Sequence, residues 1–467
     1  MMKEKAFIHC FSTNNHYYVY DVNTNSILRI NKEIYVKLNE HTDIETLLDD
    51  KIVQMREQGF LRSNNPLIKI EHPLTDTLKS QLENNVELLI LQVTQNCNFR
   101  CEYCVYSGSY VNRVHSKKRM SLETAKKAVD FYYNHCKNTK SAQIGFYGGE
   151  PLLEIELIKE IVEYSKILFR GKEIIFNMTT NASLLDDDKI DFLATNNFNL
   201  TISLDGPENV QNSGRKFAGS LSGTYQVVID NIAKIEERHP EYIKNISFNA
   251  VLGTDSNFLD SSNYFTFDYR PDNLVTAVNV SDKDAIDPIM YSDEFRLNYF
   301  YEVFKSYLWG LNRIEEQDVS KLVRSYIKTI KTDIHDRLQL NTIRTIKCHP
   351  SGPCLAGVNR LFVTVEGDFF PCERVNETSK AYNIGNLDEG FWYDKSYELL
   401  NIGKLTEREC RECWAINFCN CCAAGIEEGD KLSRKKRLEK CKSNKHVVEE
   451  RLKEYCTLRE YGCKFED

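Results

Sequence analysis

Residues 97–104 read CNFRCEYC, so Cys97, Cys101 and Cys104 fall within eight residues, with three and then two residues between them. Thiols at that density bind metal. A structural zinc site is closed by four ligands built from paired knuckles, and here no fourth Cys or His follows before His115. An iron–sulfur cubane also takes four thiolates, so three leave one iron open to a ligand that reacts. The triplet reads either as a zinc knuckle completed from far along the chain or as a reactive four-iron cluster. An open coordination position marks catalytic rather than structural metal and favours the second.

The other cysteines are not spread evenly. Of sixteen, a second concentration runs Cys348, Cys354, Cys372, Cys410, Cys413, Cys419, Cys421, Cys422 and Cys441, and none lies between Cys136 and Cys348. Two metal-binding regions joined by a cysteine-free scaffold follow from that distribution. The opening MMKEKAFIHCFSTNN lacks an apolar core of signal-peptide length, and no apolar run approaches a membrane span. A cytoplasmic, reducing location is expected, where clustered thiols are metal ligands rather than a disulfide framework. The net charge of -8 gives no basic surplus for nucleic acid. A chain of 467 residues has room for two or three domains.

Between the thiol groups, strand and helix patterns alternate. Strands are expected at 87–94, 143–147, 173–180, 199–204, 245–252 and 275–280, and helices at 121–133, 152–169, 185–196, 223–238 and 292–309. Such alternation makes an α/β fold with a parallel sheet and right-handed crossovers, here a partial (β/α)6 TIM-type barrel. Chemistry in such barrels sits at the C-terminal ends of strands. CNFRCEYC follows the first strand, GGEP (Gly148–Pro151) the second, TTN (Thr179–Asn181) the third and SLDGP (Ser203–Pro207) the fourth. Each tail alone reads equally well as a turn. Two glycines would let backbone approach a ligand, and Glu150 would accept from an ammonium group.

Taken together, CX3CX2C followed by GGEP and SLDGP resembles the radical S-adenosylmethionine (radical SAM) superfamily. The resemblance implies a four-iron cluster on Cys97, Cys101 and Cys104 whose open iron chelates the methionyl amine and carboxylate. It implies cleavage to a 5′-deoxyadenosyl radical that abstracts hydrogen from substrate, with flavodoxin or ferredoxin as reducing partner. Carried over by position, Tyr103 lies by the adenine, Gly148, Gly149 and Glu150 meet the methionyl amine with Thr180 and Asn181 at the neighbouring strand end, and Ser203 and Asp205 sit near the ribose. Arg215 resembles the family's arginine for the methionyl carboxylate, although Gln211 and Asn212 stand where relatives often carry His-Asp.

The downstream cysteines are similar to a SPASM domain, the cluster-binding extension of peptide-modifying radical enzymes. Cys348-x5-Cys354, the C-x12-G-x4-C ending at Cys372, Cys410-x2-Cys413-x5-Cys419 and Cys441 are in its register. The resemblance implies two auxiliary four-iron clusters, so three in all. One would use Cys348, Cys354, Cys372 and either Cys421 or Cys422, with Cys422 the nearer register. The other would use Cys410, Cys413, Cys419 and Cys441. Cys10, Cys136, Cys456, Cys463 and the spare of the 421/422 pair read as fillers or exposed thiols.

The expected organisation is an α+β, winged-helix-like domain at 1–85, the barrel at 86–310, a helical connector at 311–347 and the SPASM domain at 348–467. In the first segment, HYYVYDV, a turn at Asn23–Ser26 and ILRI read as a hairpin, and Ile44, Leu47, Leu48, Ile52 and Met55 as a helix face. The segment resembles the domains that bind the leader of a ribosomally made precursor peptide by strand addition. A plain dimerisation or capping domain fits the same pattern.

Three functions follow as candidates. One is a maturase installing thioether crosslinks in a cysteine-containing peptide, of sactipeptide or ranthipeptide type. Another is an anaerobic sulfatase maturase forming formylglycine. A third is a metal-bound adaptor, which leaves GGEP and SLDGP unexplained. Sulfatase maturases carry an aspartate after the cysteine equivalent to Cys372, and this chain has Glu373. Glu373 is a candidate catalytic base or a solvated side chain. The run RKKRLEKCK (434–442) reads as a solvated helix face.

Overall fold

A computed structural model describes residues 5–40, 49–63, 68–111, 113–254, 256–270, 272–281, 285–339, 347–350 and 354–465. The chain begins with strands β1 (Ile8–Ser12), β2 (Tyr17–Asp21) and β3 (Ser26–Ile30), an antiparallel sheet in that order, so β1 and β3 are its edges. Helices α1 (Lys32–Glu40) and α2 (Asp50–Glu57) close a small core of Val19, Ile34, Leu38, Ile52 and Leu61 against it. The helix expected here starts at the cap Asp49, whose carboxylate accepts from the Lys51 and Ile52 amides. Ile44, Leu47 and Leu48 lie outside the described residues. Strand β4 (Lys69–Ile70) and helix α3 (Leu78–Asn84) lead to the barrel.

The barrel runs β5 (Leu88–Thr94), α4 (Leu122–His135), β6 (Ser141–Gly148), α5 (Ile155–Leu168), β7 (Glu173–Thr180), α6 (Asp187–Thr195), β8 (Asn199–Ser203), α7 (Glu208–Gly214), α8 (Tyr225–Arg238), β9 (Ser247–Leu252), α9 (Phe258–Asn263), β10 (Val275–Asn279) and α10 (Asp293–Gly310). All six expected strands are present and pair in parallel, in sequence order. Strand β5 is buried from Leu89 onward, as a strand covered on both faces must be. Ser121 caps α4 through the Thr124 amide, which turns Ala125, Ala128, Val129 and Tyr132 onto the sheet. Helix α5 starts later than the pattern suggests. Glu150 accepts from the Leu152 amide and caps a 3-10 turn over Pro151–Glu154 first. Helices α7 and α9 were not legible, being seven and six residues long without an apolar period.

Past the barrel come α11 (Ser325–Ile330), α12 (Asp336–Gln339), β11 (Lys347–Cys348), β12 (Leu361–Val363), β13 (Asp368–Phe370), β14 (Gly385–Asn386), β15 (Gly390–Phe391), α13 (Tyr393–Leu400), α14 (Glu407–Arg411), β16 (Glu427–Glu428), β17 (Lys431–Leu432) and α15 (Arg434–Glu460). The sheet does not stop at residue 310. Strand β12 adds to β5 in parallel, and β13, β14 and β15 follow antiparallel, giving a ten-stranded mixed sheet. The cysteine-rich region is therefore built onto the open edge beside the strand that carries CNFRCEYC. The N-terminal region is tied in as well: β4 pairs with β11, and His9 stacks on Trp414 at 3.6 Å. Among the described residues, no helix is long and apolar enough to cross a membrane.

Candidate functional site

The C-terminal ends of β5, β6, β7 and β8 open on one cavity of about 490 Å³. Cys97, Cys101 and Cys104 line it together with Gly148, Gly149, Glu150, Thr180, Asn181, Ser203, Arg215 and Glu373. A second cavity of about 310 Å³ takes in Asp205 and shares Tyr103 and Val251 with the first. Every candidate outside the auxiliary cysteines therefore converges on one barrel mouth.

The two glycines, besides lining the cavity, pack against backbone. A Cβ on Gly148 would lie 2.1 Å from the Thr94 carbonyl oxygen, and one on Gly149 2.1 Å from that of Asn96. The Gly149 amide donates to Thr94 O and the Glu150 amide to Asn96 O. The missing side chains thus let the second strand end lie flat against the segment leading into Cys97, which fixes where the thiol loop starts.

Glu150 is 1% exposed. Its Oε1 accepts from the Leu152 amide at 3.0 Å and the Thr180 hydroxyl at 2.6 Å, and its Oε2 from the Asn181 amide at 2.8 Å. Burial pushes its carboxyl up while these three donors pull it down. A carboxylate accepts about four hydrogen bonds, so one position on Oε2 is left for a further donor. Asn181 in turn donates to Asn98 Oδ1 at 2.9 Å and lies 3.9 Å from Cys97 Sγ.

Asp205 and Arg215 form a buried bidentate pair, Nε to Oδ2 and Nη2 to Oδ1, both 2.9 Å. Asp205 also accepts from the Tyr103 hydroxyl and from the Val251 amide. Its carboxylate is thereby filled, and two donors of Arg215 are committed to it. The Arg215 guanidinium lies 5.3 Å from the Tyr103 ring centre and contacts Cys101. Gln211, in place of the histidine common in relatives, is fully buried and accepts from the Asp205 amide at 2.9 Å. Asn212 accepts from the Thr224 and Tyr225 amides and so serves the start of α8. The two departures from the family pattern have structural employment next to the pair.

Glu373 enters the cavity with Oε1 on Arg360 at 2.5 Å and Oε2 buried without a hydrogen-bond partner. Sequence reasoning missed the buried set behind it: Arg113 with Glu377, the Tyr106 hydroxyl on Glu377 Oε1 at 2.6 Å, and Tyr147 beside both glutamates. His115 also lines the cavity, its Nε2 unpartnered. Only its type and its nearness to the triplet signalled it.

The auxiliary thiols sort into groups. Burial and the neighbouring Cys372 and Cys422 push the Cys354 thiol up to about 11, and Cys422 acts likewise on Cys372. Cys422 thus lies with Cys354 and Cys372. Cys348, on β11, packs against the apolar cluster that includes Cys410 and Phe418. Cys421 is buried and hydrogen-bonds Cys441. Cys419 has Cys421 and Cys413 beside it, and Cys441 has Cys410. The spare of the 421/422 pair is therefore not an isolated filler. The run 434–442 is also not wholly solvated, because Arg437 is 1% exposed.

These donor sets suit iron–sulfur clusters. They are all sulfur, and the triplet rims a cavity in whose lining His115 is the one histidine among the described residues. Among the described residues, no three His, Cys, Asp or Glu side chains close on a point as the ligands of a single ion do.

Residues 91–258 match the Radical SAM superfamily. Over 349 residues the chain is 26% identical to the cysteine-type anaerobic sulfatase-maturating enzyme of Clostridium perfringens, covering 72% of this chain and 87% of that one. Over 303 residues it is 24% identical to the radical SAM cyclopropyl synthase TigE of Paramaledivibacter caminithermalis, covering 61% and 60%. The fold overlays the solved structure of native anSMEcpe with bound AdoMet and Cp18Cys peptide with a TM-score of 0.54 at 20% identity, over 78% of this chain and 99% of that one. The strand-end motifs, the thiol-rimmed barrel mouth and the family match agree that residues 91–258 of this chain form a radical SAM domain.

Proposed function

We propose that the protein is a cytoplasmic peptide maturase that joins a cysteine sulfur to a carbon of a ribosomally made precursor. The observation that carries this reading is the convergence of the three thiols, Glu150 and Glu373 on one cavity. A four-iron cluster on Cys97, Cys101 and Cys104 with S-adenosylmethionine bound to it would supply the 5′-deoxyadenosyl radical. The unused acceptor position of Glu150 suits the methionyl ammonium. Tyr103 offers a ring face to the adenine, held in place by Asp205, while Ser203 lines the same cavity for the ribose. Arg215, committed on one side to Asp205, keeps Nη1 for the methionyl carboxylate. Glu373 offers Oε2 as acceptor for a substrate proton. In the balance, a C–H and an S–H give one C–S bond, the hydrogen atom leaves as 5′-deoxyadenosine, and a proton and an electron leave separately.

Auxiliary clusters on Cys348, Cys354, Cys372 and Cys422 and on Cys410, Cys413, Cys419 and Cys441 would take that electron or hold the peptide thiolate. Flavodoxin or ferredoxin would supply the priming electron. The β1–β3 sheet, with β1 and β3 as edges, suits leader binding by strand addition. About a fifth of this chain is additional to anSMEcpe, which 78% of it covers nearly whole. That is close to the length of residues 1–85 and favours a leader-guided peptide.

The similarity to the Clostridium perfringens enzyme supports a second reading, oxidation of a protein cysteine to formylglycine. One experiment separates the two. The reconstituted protein is incubated with S-adenosylmethionine, reductant and a cysteine-containing precursor peptide, and the product is sequenced by mass spectrometry. The thioether reading expects a product that has lost a hydrogen pair and kept its sulfur. A product in which the cysteine has lost its sulfur assigns formylglycine formation instead, and no S-adenosylmethionine cleavage by iron-loaded protein overturns both.

A further inference from the structure

Arg437, in the first turn of α15, is the largest side chain that the fold buries completely. A guanidinium stays charged throughout the range in which the protein is folded. Taking that charge out of water is costly unless an opposite charge meets it. The other two deeply buried arginines obey this rule: Arg215 has Asp205 and Arg113 has Glu377. Among the described residues, Arg437 has no carboxylate. Its Nε donates to Thr406 Oγ1 at 3.0 Å and its Nη1 to Cys421 Sγ at 3.6 Å. Thr406 Oγ1 is itself 3.3 Å from Cys410 Sγ. Cys419 and Cys441 also lie within the field of the guanidinium. The other charged neighbour, Lys440 beside Cys421, is a cation and worsens the imbalance. Among the described residues, Arg437 is met by the thiols of Cys421, Cys419 and Cys441 and by no carboxylate.

We propose that Arg437 is the built-in counter-charge of an anionic iron–sulfur cluster held by Cys410, Cys413, Cys419 and Cys441. Cys421, which accepts from Arg437 Nη1 and contacts Cys441, links the two. This rests on the cluster assignment made above. Four thiolates give such a cluster net negative charge, and the reduced form carries one more. Net charge and hydrogen bonds to sulfur are among the levers that set its potential. Arg437 is then a positioning residue that favours the reduced form and raises the potential of that one centre.

The test uses the full chain, anaerobically reconstituted, as wild type, Arg437→Lys and Arg437→Met. Iron per chain and an electron-paramagnetic-resonance redox titration are read for each. The proposal expects wild type and Arg437→Lys to agree. In Arg437→Met, one of the clusters should become about tenfold less reduced at fixed potential, or about 59 mV lower for a one-electron couple. Loss of one cluster in Arg437→Met with retention in Arg437→Lys supports the proposal equally. Full iron with unchanged potentials in Arg437→Met overturns it, as does the same loss or shift in both variants, since shape rather than charge would then matter. Zinc without iron in the wild type overturns the functional assignment itself and is told apart by the metal analysis alone.

Discussion

Arg113 Nε lies 3.0 Å from Glu377 Oε2, and both side chains are less than a tenth exposed. Arg113 belongs to the loop that follows the cysteine triplet, Glu377 to the loop that follows Cys372. The pair therefore clamps the candidate S-adenosylmethionine site to the first auxiliary thiol group. Breaking a buried pair from one side strands the other charge. Glu377→Leu alone should cost about 3–5 kcal/mol in urea unfolding, and Arg113→Met/Glu377→Leu together should return most of it. A single-variant cost under about 1 kcal/mol, the level of a surface pair, would show that the clamp does not hold the loops.

Gly149 makes the second prediction. Its absent Cβ leaves room for Asn96 O at 2.1 Å, and both partners are backbone, so neither can step aside cheaply. Gly149→Ala should displace the start of the thiol loop and lower iron by about four per chain, one cubane. Gly219→Ala is the control, because a Cβ there meets nothing within 4 Å. Equal iron in the two variants would count against the strand-end contact as the device that places Cys97.

Strand β5 was legible because a doubly covered parallel strand is a short apolar run such as LLILQVT, while EIIFNMTT and SFNAVL, which bury mainly alternate residues, were legible from their β-branched, aromatic and other apolar residues. The strand-end motifs were legible because chemistry constrains residue type as well as spacing. Helix α7 escaped because ENVQNSG has no apolar period and is held by single contacts, such as the Gln211 side chain on the Asp205 amide. The ten-stranded sheet escaped because β12 to β15 are two or three residues each, too short for a period to register. Arg437 escaped for a different reason. Its type and its neighbours Arg434, Lys435 and Lys436 say solvent, and only the three-dimensional position of Cys421 and Thr406 says otherwise.

Cys421 and Cys422 are adjacent yet belong to different surroundings, Cys422 with Cys354 and Cys372 and Cys421 with Cys441. Cys422→Ser should therefore lower iron by about four per chain, while Cys421→Ser should keep about twelve. The reverse pattern would exchange the two assignments, and equal losses would mean that both thiols ligate.

His9 supplies a pH signature. It stacks on Trp414, its Nε2 lies 3.4 Å from Glu449 Oε2, and Lys445 and Lys453 are nearby. Burial lowers its pKa from the ordinary 6.5 to about 4, with Glu449 opposing the shift. Below 6.5 the unfolded chain binds a proton that the folded one refuses, so the unfolded state gains. The contribution is fully present above about pH 6.5 and is lost as pH falls toward about 4, by up to about 3 kcal/mol. Glu449 is shifted down, so its own contribution fades only in more acid solution, below its ordinary 4.5. His9→Phe keeps a ring on Trp414 and removes the titration. Urea-unfolding stability measured from pH 7.5 to 4.5 should fall less steeply in His9→Phe than in the wild type. Parallel profiles would mean that the junction between the N-terminal sheet and the cysteine-rich region does not sense protons through this ring.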